Sequence, residues 1–166
     1  MPFTIEEFKA NFIGGSRANK YEVQIPYLPD KMNKFLVQST TIPGTEINAL
    51  PVKYMGATAM FAGDRTEPPT WNVTILLDED YAGMNELEQW QELIRQVNSG
   101  IGVGQHTTYK KEAYVSQLGQ DGSVIAEYKL EGLFPVSIGE VTLGATEDGI
   151  SQVQVGFRFD VRRKLS

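Results

Sequence analysis

The sequence predicts a β-rich domain carrying one amphipathic helix packed on a sheet. Three observations lead there. Four segments alternate apolar and polar residues with period two, the mark of strands with one buried face. A single segment instead places its apolar residues at helical spacing. Two Asp-Gly pairs, Asp121-Gly122 and Asp148-Gly149, fall between alternating runs and suit tight hairpin turns, because glycine accepts positive φ. At 166 residues the chain suits one domain.

In chain order, a short helix is predicted near 4–11, capped by Thr4, and Gly14-Gly15-Ser16 reads as a joint after it. In 20–26, Tyr21, Val23 and Ile25 alternate with Lys20, Glu22 and Gln24. The stretch PGTEINALPVKYMGATAMFA at 43–62 is apolar yet holds two prolines and two glycines, and Pro51 and Gly56 argue against a central strand. It reads either as a long hairpin folded onto its own domain or as a segment covered by a neighbouring subunit. In 71–78, Trp71, Val73, Ile75 and Leu77 alternate with polar residues, and Leu76 makes both faces partly apolar. Leu87, Trp90, Ile94 and Val97 define the helix over 85–98, with Asn85 and Glu88 as a capping box and Ser99-Gly100 as its stop. Strands follow over 124–131 and 152–162, the latter with Val153, Val155, Phe157, Phe159 and Val161 on one face. With Trp71, the four helix residues form the expected structural core.

Composition narrows the function. The formal net charge is -6, from 15 Lys and Arg against 21 Asp and Glu, a poor match to a phosphate backbone. The chain has no cysteine, which excludes disulfides and thiolate metal sites. The N-terminal stretch MPFTIEEFKANFIGG has Glu6 and Glu7 where a signal peptide needs an apolar core, and no run approaches the ~20 apolar residues of a membrane span, so a cytoplasmic setting is expected. Asp78, Glu79 and Asp80 are consecutive at a strand end, and neighbouring strand positions point to opposite faces, so they do not converge on an ion. They read as solvated charges near a helix start. His106, the only histidine, sits in GIGVGQHTTYKK without a nucleophile elbow. Glycines 100, 102 and 104 follow a helix instead of opening one, which is the wrong order for a phosphate cradle. No catalytic residue, metal or cofactor is expected. Such a chain binds or builds.

Several pieces then resemble one family. AGDRT at 62–66, WNVTILLDE at 71–79, YKKEAYVSQ at 109–117, GLFPVSIGEVTL at 132–143 and SQVQVGFRFDV at 151–161 occur in order, together with Tyr21-Glu22-Val23 and ALPVKYM at 49–55. In these the chain resembles the tail tube proteins of contractile-tailed bacteriophages, which share their fold with tube proteins of type VI secretion and of phage-like injection particles. The resemblance implies two packed antiparallel sheets forming a barrel-like sandwich with one flanking α-helix. It implies hexameric rings of this one chain, stacked head to tail as the inner tube of a virion tail assembled in the host cytoplasm. The implied partners are the tail sheath protein and the baseplate and tail terminator proteins, with DNA only as passing cargo. Under this reading the single domain projects an arm at about 44–61, with Val52, Tyr54, Met55, Met60 and Phe61, that reaches the adjoining ring. Asp64 and Arg65, before the strand opened by Trp71, sit at a subunit junction, and the basic cluster of Arg162, Arg163 and Lys164 is either a solvated tail or pairs there with a neighbour's carboxylates. The alternatives are the tube of an injection particle or secretion system, a monomeric β-sandwich binding module, and a carboxylate-dependent hydrolase, for which no spacing of acids argues.

Overall fold

The computed structural model describes residues 4–12, 14–28, 37–96, 99–102, 104–146 and 148–165. Helix α1 (Ile5–Asn11) opens the chain. Strands β1 (Tyr21–Gln24), β2 (Val37–Thr40), β3 (Ile47–Tyr54), β4 (Ala57–Arg65) and β5 (Trp71–Leu76) follow. Helix α2 (Ala82–Ile94) and the single turn α3 (His106–Tyr109) precede β6 (Lys111–Leu118), β7 (Val124–Ile138), β8 (Gln152–Arg158) and β9 (Val161–Lys164).

Seven strands form one antiparallel path, β1-β6-β7-β8-β5-β2, with β9 also on β7. The long strand β7 divides it. Its first half pairs with β6 and β9, and its second half with β8. Two packed sheets result, sharing β7, in a mainly β sandwich. Val23, Ile25, Ala113, Val115 and Leu130 bury the inner face of one sheet, and Trp71, Val73, Ile75, Val153, Val155 and Phe157 that of the other. The rings of Trp71 and Phe157 lie 5.4 Å apart, and Trp90 reaches Phe157 at 6.0 Å and Tyr27 at 4.6 Å. Helix α2 thereby closes the core through Leu87 and Trp90. Burial, with a smaller contribution from the Glu86 charge, raises the pKa of the Tyr27 hydroxyl.

The expected cap of the first helix is present: Thr4 Oγ1 accepts from the Glu7 amide at 3.2 Å, and the Glu7 carboxylate accepts from the Thr4 amide at 3.0 Å. The longer helix departs from expectation at both ends. It begins at Ala82 after Tyr81, which takes a left-handed conformation at φ 53, and no side chain caps it. The Asn85 amide already bonds the Tyr81 carbonyl, so Asn85 lies in the first turn and forms no capping box with Glu88. It ends at Ile94, and Val97 lies outside the described residues. Gly102 explains the glycine-rich connection, because a Cβ there would stand 2.0 Å from the Ile94 carbonyl oxygen.

Asp121-Gly122 does turn β6 into β7, with Gly122 at φ 86. Asp148-Gly149 instead lies within the long 139–151 connection between β7 and β8, which is no tight hairpin. The strand expected over 152–162 breaks at Phe159 and Asp160, into β8 and β9. Opposite that break, β7 carries an extra residue at Gly132, which has φ 72. This is a glycine bulge that bends the strand from one sheet into the other.

Candidate functional site

The segment over 43–62 is irregular through 43–46 and then forms strands that are not part of the sandwich. Strands β3 and β4 pair only with each other, as a separate two-stranded sheet. Pro51 fits because a two-stranded ribbon leaves one side of each strand free of hydrogen bonds. The tip is a two-residue turn, Met55-Gly56, with φ of 49 and 82, the left-handed pair of a type I′ hairpin.

Register sorts the ribbon into two faces. Leu50 opposes Phe61, Val52 opposes Ala59 and Tyr54 opposes Ala57 on one. Ala49 opposes Ala62, Pro51 opposes Met60 and Lys53 opposes Thr58 on the other. Both faces are dominated by apolar side chains, and both are exposed along their length. Tyr54 is 75% exposed and Met55 88%. Among the described residues nothing covers the ribbon's two apolar faces, and large contiguous apolar exposure marks an interaction surface. The reading that the hairpin folds onto its own domain is therefore corrected.

At the base of the ribbon a cleft of about 750 Å³ lies between 44–46, 65–69 and 159–163. Three of the four expected junction residues, Arg65, Arg162 and Arg163, line it, and Asp64 lies one residue outside. Arg162 donates to the Pro43 carbonyl and stacks over the Tyr128 ring at 4.5 Å, which fixes its guanidinium. Arg163 Nε donates to Glu131 at 3.1 Å. Arg158 bridges Glu67 at 3.7 Å and bonds the Pro68 carbonyl. Glu46, Glu67 and Asp160 also line this cleft. Only the packing of β9 against the hairpin base brings them there, and no spacing in the sequence shows it.

Trp71, Leu87 and Trp90 are fully buried and Ile94 is partly buried against the core. Asp78, Glu79 and Asp80 lie in the turn before α2, and His106 opens α3. Among the described residues no three His, Asp or Glu side chains are grouped as a metal would require. Among the same residues no helix is long and apolar enough to cross a membrane.

The fold has close counterparts. The tube-terminating cap of the anti-feeding prophage is 19% identical, covers 95% of this chain and 97% of its own, and superposes with a TM-score of 0.67. The sheath-tube complex of the extracellular contractile injection system PVC, in its extended state, contains a chain 16% identical that covers 99% of both, with a TM-score of 0.64. At these identities the likeness is one of fold. In sequence, the tail tube protein gp19 of Enterobacteria phage T4 is 31% identical over 129 residues, 77% of this chain and 78% of that one. The model of the family described as phage tail tube protein matches residues 6–162. By that nearly complete match the chain belongs to the phage tail tube protein family, and it is a structural component of a tail and not an enzyme.

Proposed function

We propose that six copies of this chain close into a ring, and that rings stack into the inner tube of a contractile phage tail through which DNA is ejected. The observation that carries the reading is the β3–β4 ribbon, apolar and exposed on both faces. Val52, Tyr54, Met55, Met60 and Phe61 form an arm that docks on the adjoining ring. Burial of apolar surface stabilises by roughly 25 cal/mol per Å², repeated at each copy. Arg65, Arg162 and Arg163, around one cleft beside Asp64, form the junction with a neighbouring subunit. Trp71, Leu87, Trp90 and Ile94 hold the platform from which the ribbon projects.

Head-to-tail contacts that do not close generate an open filament, as a stack of rings requires. The chains it resembles in fold come from a sheath-tube complex, a tube-terminating cap and a baseplate, so a sheath, a terminator and a baseplate are the partners of this reading, which also places assembly in the host cytoplasm as an expectation still to be tested. The higher identity to a phage protein than to injection-particle proteins favours a virion tail. Negative-stain electron microscopy of the purified protein tests the reading. Rings or tubes are expected; a chain that stays monomeric at every concentration and salt overturns it.

A further inference from the structure

The ribbon meets the sandwich through two legs, 41–46 entering β3 and 66–70 leaving β4. The Thr66 amide and hydroxyl both donate to the Glu46 carbonyl, at 3.1 and 3.4 Å, which ties the legs to each other. The sandwich also grips each leg. On the entering leg, Trp71 Nε1 donates to the Thr41 carbonyl at 2.8 Å, and Arg162 donates to the Pro43 carbonyl. On the leaving leg, Arg158 donates to the Pro68 carbonyl and to Thr70 Oγ1, both at 3.4 Å, and stands 3.7 Å from the Glu67 carboxylate. The two arginines straddle the corner where β8 gives way to β9, and Lys110 pins that corner through Asp160 at 2.8 Å. Both carbonyls held by arginine belong to prolines. A proline has a fixed φ and no N–H, so it stiffens the leg and leaves the carbonyl as the backbone group to hold.

Among the described residues β3 and β4 pair only with each other, and the cleft of about 750 Å³ at their base leaves room for the ribbon to tilt. The eight residues of β3 reach roughly 25 Å at ~3.3 Å each. A tilt of about ten degrees at the legs therefore moves the tip by roughly 4 Å, enough to lose a packed contact.

We propose that Arg158 and Arg162 are positioning residues for assembly, which grip the two legs and hold the ribbon at the angle at which it enters the adjoining ring. The proposal rests on the reading of the ribbon as the ring-stacking arm. Arginine suits the task because its planar guanidinium stays charged and presents several donors in a fixed fork, so one side chain can hold more than one acceptor. Arg158 does so with Pro68, Thr70 and Glu67, and Arg162 holds Pro43 while its guanidinium lies over the Tyr128 ring. An arm held before docking loses less freedom when it docks. Arg162 thus serves the subunit junction through its own chain.

The chain lacks cysteine, so pairs of cysteines can be placed for nitroxide labels. Thr58→Cys with Gln154→Cys reports the ribbon against β8, and Gln24→Cys with Gln154→Cys reports the sandwich alone. Pulsed electron spin resonance on free subunits should give a narrow distance distribution for both pairs. R158Q/R162Q should broaden the ribbon pair by roughly the 4 Å of such a tilt and leave the sandwich pair narrow. A ribbon pair already broad in the unsubstituted subunit, or still narrow in the variant, overturns the grip. Broadening of both pairs marks a general loosening and overturns the positioning role. Arg158 is half-exposed, so R158Q alone carries the same test should the double variant not fold. Without labels, R158Q/R162Q should raise the subunit concentration needed for elongation roughly tenfold. Unchanged elongation beside a broadened ribbon overturns the role in assembly. If the unsubstituted chain forms no rings or tubes, the stacking reading fails and the assembly role with it, while the spin-label distances still decide the grip.

Discussion

The indole N–H of Trp90 donates to the backbone carbonyl of Tyr109 at 2.7 Å, so one buried side chain ties α2 to the turn that feeds β6. Trp90→Ala should cost about 3–5 kcal/mol by cavity formation. Trp90→Phe keeps most of the volume but orphans the carbonyl, at about 1–3 kcal/mol. Urea denaturation of the free subunit measures both; a Trp90→Phe subunit as stable as the unsubstituted one would show that the hydrogen bond contributes nothing.

Gly132→Ala should destabilise the subunit by about 1–3 kcal/mol, because the residue sits at positive φ. Its Cβ would also stand 2.2 Å from the Asp160 carboxylate, which pairs with Lys110 at 2.8 Å. Asp160→Ala in the same chain removes the clash and leaves the backbone strain. The double variant should therefore lose less than the two single losses added together, as a double-mutant cycle in thermal denaturation would read.

Replacing Met55 and Phe61 by Ser should leave folded subunits or single rings that no longer elongate. Met55→Asn with Phe61→Ser separates docking from turn geometry, since Asn-Gly is the preferred type I′ pair. Circular dichroism and negative-stain microscopy follow both variants. Long tubes from either would remove the ribbon from ring stacking, and unfolded protein would place these side chains in the domain's own support.

The turn from β6 to β7 should be pH-sensitive. Asp121 accepts from the Ser123 hydroxyl at 2.7 Å and from its amide at 3.1 Å, and these bonds lower the carboxyl pKa below its ordinary value of 3.8. The contribution is complete above that ordinary value and is lost as pH falls through the lower folded value. An NMR titration should show Asp121 ionising below a free aspartate, and Ser123→Ala should move it back up. An unchanged midpoint would refute the assignment.

The sandwich was legible wherever one face of a strand is dry. Trp71, Val73 and Ile75 alternate with Asn72 and Thr74 because only the first set reaches the core. The Leu87 and Trp90 stripe is readable for the same reason. A hairpin over 43–62 was one of two readings, but its register and its separation from the sandwich were not legible, because a ribbon with two apolar faces has no alternation to reveal. The start of α2 was hidden because Tyr81 is no capping residue type and reaches its conformation through its surroundings. The division of β8 from β9 is set by a bulge in another strand, and β2 is too short to carry a pattern. Of the candidate site, the apolar ribbon and the basic C-terminal cluster could be read, but not the acids that join Arg162 and Arg163 around one cleft, which depend on how β9 packs.

Strand β7 runs for 15 residues, roughly 50 Å when extended, and belongs to both sheets. In mechanical terms it is a shared beam. A load applied to one sheet passes along covalent bonds into the other without crossing a soft joint, so the sheets cannot slide past each other or melt in turn. Pulled in a single-molecule instrument, the subunit should yield in one event, at a force set by the ladders flanking β7.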